Sequence, residues 1–145
     1  MQSTERLAEL VAQKHRVLLQ LREVGGRQMD LVVSGETPLL LKLLAVKQSL
    51  ISALQDLEKQ LAPFHAEDPQ RRRWATPEVR EQCARQADEC NRLLQEVVAL
   101  EQLGAEKMTI RRNELAARLD HVHTASQVRS AYESQRVRTA MSGRS

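Results

Sequence analysis

The chain has 145 residues, which fits one domain and leaves little room for a second. Phe64, Trp74 and Tyr132 are its only aromatics, and Leu, Ala, Gln, Glu and Arg abound, which excludes a sheet-rich fold and predicts an all-α one. Lys and Arg number 22 against 19 acids; this net charge of +3 is too small and too dispersed for a dedicated nucleic-acid binder.

A first helix is expected over residues 4–33. Leu7, Leu10, Val11, Leu18, Leu21, Val24, Met29 and Val32 recur at three- and four-residue steps. Glu5, Arg6 and Glu9 interrupt any signal-peptide core. Gly25-Gly26 weakens the helix by roughly 2 kcal/mol relative to alanine and permits a bend. Ser34-Gly35 closes the segment.

Thr37 is the N-cap candidate and Pro38 the first helical residue of a second helix over 38–61. Leu40, Leu43, Leu44, Leu50, Ile51, Leu54, Leu57 and Leu61 make one broad apolar face. Lys47 is its single charge, with the stem on the face and the ammonium outside. Ala62-Pro63 should end the helix, because the residue before proline avoids the α region. No run reaches the roughly 18 consecutive apolar residues of a membrane span.

Residues 63–76, PFHAEDPQRRRWAT, read as the longest loop. Arg71 to Arg73 beside Trp74 suggest a nucleic-acid contact, but the repeated stacking platform of single-strand binders is missing. The favoured reading is a solvated basic turn, with Phe64 and Trp74 folded over the end of a bundle.

A second Thr-Pro pair, Thr76-Pro77, followed by Glu78 and Glu81, starts a third helix expected over 77–132. That length is about 80 Å, against about 35–45 Å for each of the other two. Shorter partners cover only half of it. From about Met108 onward it must project into water, fray or find another chain. Leu115 and Val122 share one heptad position and Ala125 and Tyr132 another, interrupted by Arg118 and Arg129. Such a stripe suits a partner-binding surface or a loose tail. The fold class is therefore a three-helix antiparallel bundle or coiled coil with a long, partly projecting C-terminal helix.

Chemistry-bearing constellations are scarce. Cys83 and Cys90 lie two helical turns apart, about 10 Å, too far for a disulfide within one helix. Both read as small buried hydrophobes in a reducing cytoplasm. None of His15, His65, His121 and His123 has a glutamate three residues before it, as carboxylate-bridged metal bundles require, and all four read as solvent-exposed. Gly-rich phosphate loops, GxSxG and HExxH do not occur. The chain does not read as an enzyme, and no catalytic, cofactor or metal residue is assigned.

The leucine-rich run LVVSGETPLLLKLLAVKQSLISALQDLEKQLAPF and the terminal RSAYESQ resemble the FlgN-type flagellar export chaperones. The family's Lys-Gln-x-Leu-Ile element is matched by Lys47, Gln48, Leu50 and Ile51, and its Ala-Tyr tail by Ala131 and Tyr132. The likeness spans residues 7–132; the basic loop with Trp74 is longer and more polar than the family pattern. The resemblance implies a cytoplasmic protein that holds the C-terminal helices of hook-associated proteins, prevents their premature assembly and delivers them to the flagellar type III export gate. It implies no nucleotide, metal or other cofactor, no nucleic-acid partner and no membrane insertion. Met108, Leu115, Leu119, Val122 and Ala125 are the expected client-binding residues, and Tyr132 the gate-docking one. Residues 1–135 form the expected chaperone-like domain and 136–145 a flexible tail. The competing reading is a structural coiled-coil adaptor that self-associates through the same stripe, which a chaperone would do only weakly.

Overall fold

The computed structural model describes residues 3–142, with side chains described for residues 3–138. The protein is an all-α bundle of three helices, α1 (Thr4–Ser34), α2 (Thr37–His65) and α3 (Pro77–Ser142), with a 3-10 turn at Pro69–Arg71 between the last two. The chain divides into two units, Met1–Lys107 and Met108–Ser145, and α3 contributes to both.

In the first unit, cross-helix contacts fix the directions. Arg6 meets Gln60, Lys14 meets Glu58 and Gln28 meets Lys47, so α2 runs against α1. Val11 meets Cys90, Arg22 meets Glu96 and Gly25 meets Leu100, so α3 runs alongside α1. Two apolar clusters fill the space between them. Leu7, Leu10, Val11, Leu57, Leu61, Phe64 and Cys83 form one, and Leu18, Leu21, Cys90 and Leu93 the other. The cysteines are the small buried hydrophobes that their seven-residue spacing suggests, and both thiols are free.

The helix boundaries have local causes. Ser3 caps α1 by accepting from the Glu5 N–H, and Gly35 ends it with a φ of 75° while donating to the Leu31 carbonyl. The two Thr-Pro starts differ. Thr76 caps α3 through its hydroxyl, which accepts from the Val79 N–H at 3.2 Å. Thr37 instead lies inside α2, whose N-cap is Glu36 and makes no side-chain cap bond.

Three further expectations about the helices need correction. α2 does not stop at Leu61 but continues through Pro63 to His65, because Phe64, 2% exposed, is held in the core and draws the last turn past the proline. Lys47 does not leave its ammonium outside. It donates to the Gln28 side chain at 3.1 Å and pairs with Glu101, placing one charge between all three helices. α3 does not end near Tyr132 but continues to Ser142. The tail expected over 136–145 is therefore helical as far as Ser142, and residues 143–145 lie outside the described ones.

Gly25-Gly26 introduces no bend that breaks α1. Gly25 has a packing role, since a Cβ there would meet the Leu100 side chain at 3.2 Å, whereas Gly26 faces open space. Gly104 is buried beside the Gln28 side chain, and α3 passes through it without interruption.

Candidate functional site

Residues 108–138 are helical, and all but the half-buried Arg111 are exposed. The five residues expected to hold a client all lie there. Leu119 is 70% exposed and Val122 65%, while Met108, Leu115 and Ala125 are also exposed. At about 100° per residue, Met108, Leu115, Leu119 and Val122 fall within an arc of about 60°. Ala125 lies about 60° beyond its edge and Tyr132 about 80°, so these two flank the stripe instead of continuing it. Tyr132 is 64% exposed.

A leucine of this kind left in water forgoes about 1.5–3 kcal/mol of burial energy. Two leucines, a methionine and a valine in one arc form an apolar strip along a helix whose backbone needs no further partner. Apolar strips of this kind are one way in which helices pack face to face. The strip offers no polar constellation for bond chemistry.

A second apolar surface escapes periodicity. Leu39 and Val46 are half exposed and Leu41 more so, while Leu40, Leu43 and Leu44 are only partly buried. The buried residues of α2, Leu57, Leu61 and Phe64, all belong to its C-terminal half. Among the described residues, α2 is long and apolar enough by composition to cross a membrane, although Lys42 and Lys47 interrupt the run, and its qualifying window has no buried residue. The run PLLLKLLAV is apolar around the circumference apart from Lys42, and that was the available signal: a bundle helix can bury only one side of it.

The loop between α2 and α3 is less solvated than its composition suggests. Arg72 is half buried and donates to the Phe64 carbonyl at 2.6 Å, and Thr4 donates to the Arg73 carbonyl at 2.7 Å. Phe64 and Trp74 do fold over the core. Beside them opens a cleft of about 510 Å³, lined by Leu61, Phe64, Arg72, Trp74, Cys83 and Cys90 among others. Burial raises both thiol pKa values, with Arg72 opposing the shift at Cys83 and Lys14 opposing it at Cys90. A thiol kept protonated is a poor nucleophile.

His121 and His123 are exposed, and the His123 ring lies 3.1 Å from the Gln127 amide. His15 departs from the exposed reading: it is largely covered and contacts Glu89 at 2.7 Å. No group of three or more His, Cys, Asp or Glu among the described residues is placed to hold a metal ion.

No protein-family model matches the chain, and neither a curated protein nor a solved structure does. The fold and its surface define a class: a three-helix bundle bearing exposed apolar helix surface.

Proposed function

We propose that the protein is a non-enzymatic export chaperone of the FlgN type. In this reading it acts in the cytoplasm, holds the C-terminal helices of hook-associated flagellar proteins out of assembly, and hands them to the type III export gate. The client lies on the strip formed by Met108, Leu115, Leu119 and Val122, with Ala125 at its flank. Tyr132 docks on the gate. The observation that supports the reading most directly is the regular helix over 108–138 whose large apolar side chains remain uncovered.

The test is a titration of the full chain with the C-terminal helical segment of a hook-associated protein. Saturable binding is expected, weakened at least about tenfold in Leu119→Asp, the size of a single strong interface contact. A wild-type chain that does not bind the segment contradicts the proposal.

A further inference from the structure

The helix from Met108 onward carries a charge pattern that its apolar strip does not use. Arg111, Arg118, Arg129 and Arg136 stand 7, 11 and 7 positions apart. Eighteen residues complete about five whole turns, so Arg111 aligns with Arg129 and Arg118 with Arg136, and the two pairs differ by about 20°. The four form a single row, with neighbours about 10–17 Å apart along the axis. Arg111 and Arg118 stand about 60° to one side of the centre of the Met108–Leu115–Leu119–Val122 strip, and Arg129 and Arg136 continue the row about 10–21 Å past Val122.

Little on the chain neutralises this row. Arg111 pairs with Glu114 at 3.6 Å. Arg118, Arg129 and Arg136 form no ion pair among the described residues, not even with Glu133, which lies between the last two in sequence. Residues 108–145 hold seven arginines against three acids, Glu114, Asp120 and Glu133, whereas residues 1–107 hold 15 basic and 16 acidic residues. The positive excess of the whole chain thus belongs to this segment.

Single-sign charges beside an apolar seam select the charge of the partner, as e and g positions do in coiled coils. We infer, resting on the helix-holding reading above, that the client is an acidic amphipathic helix with Asp or Glu beside its apolar stripe at intervals matching the arginine row. The same segment of a second copy supplies no such acids beside its strip. In parallel it would set the row against the strip's other flank, Arg112, Ala116, His123 and Ser130, and in antiparallel it would set arginine against arginine. A nucleic acid would satisfy the row but leave Leu115, Leu119 and Val122 in water.

The test uses three synthetic peptides of about 25 residues, long enough to span the row. They share one apolar stripe and carry Glu, Gln or Lys at the flanking positions. With the full chain, the Glu peptide is expected to bind about tenfold tighter than the Gln peptide, with the Lys peptide weakest. In Arg118→Glu/Arg129→Glu/Arg136→Glu the order reverses, and in the corresponding Arg→Gln triple variant it levels, with unchanged helical circular dichroism in both. Equal binding of all three peptides overturns the charge inference and leaves the helix-holding reading intact. Binding of none overturns both. Single-stranded DNA that binds tighter than the Glu peptide, and is lost in the Arg→Gln variant, overturns the inference and assigns the row to phosphates.

Discussion

Lys47 of α2 donates to the side chain of Gln28 on α1 at 3.1 Å, and its ammonium also pairs with Glu101 of α3. Gln28 is 5% exposed, so this polar contact sits inside the bundle. Removing the ammonium takes one hydrogen bond from the buried Gln28 amide and the ion pair from Glu101, at a penalty of about 1–3 kcal/mol. Lys47→Met should therefore lower the urea-unfolding free energy by that amount. The double variant Lys47→Met/Gln28→Leu should recover part of the loss, because no buried amide is then left one hydrogen bond short.

The adjacent glycines of α1 should respond unequally. Gly26→Ala adds a methyl group to open space and gains helix propensity, about 1 kcal/mol. Gly25→Ala gains the same propensity but brings its Cβ to 3.2 Å from the Leu100 side chain, which must give by a few tenths of an ångström, so the gain is offset. Thermal melts of the two single variants check the contrast.

Leu18 and Leu119 separate stability from binding. Leu18 is wholly buried, and Leu18→Ala should cost about 2–5 kcal/mol. Leu119 is largely exposed, and Leu119→Asp should leave the melting temperature nearly unchanged while reducing client affinity. Melts and titrations on the same preparations check both halves.

The thiols give a pH signature. Burial raises the pKa of Cys83 and Cys90 in the folded chain, so the native state holds their protons more tightly than the unfolded state does. Their contribution to stability is complete below the ordinary thiol range, about 8.5, and is lost as the pH rises through the folded values. Alkylation at pH 8 should be slow in the native protein and fast in denaturant. Cys83→Ser/Cys90→Ser should flatten the decline of stability above about pH 8.5.

Much of the architecture was legible in the residues. Leu7, Leu10, Val11, Leu18 and Leu21 mark the buried face of α1 at helical spacing, and Thr76-Pro77 marks the start of α3. What escaped depends on tertiary partners. Pro63 reads as a stop unless Phe64 is known to be anchored, and Lys47 reads as a snorkelling charge unless Gln28 and Glu101 are known to converge on it. The half-buried state of Leu44 has the same origin: a uniformly apolar run does not say which side its neighbours cover. The candidate strip was legible because helix length alone leaves it uncovered, while the arginine row required a regular helix through Ser142.

Amide hydrogen exchange of the full chain with and without the client segment tests the central claim most directly. The account predicts new protection over residues 108–138, where the helix surface is exposed, with residues 37–50 unchanged. Protection that appears instead around Leu39, Leu41 and Val46, with residues 108–138 exchanging as before, would contradict it and move the binding surface to the first half of α2.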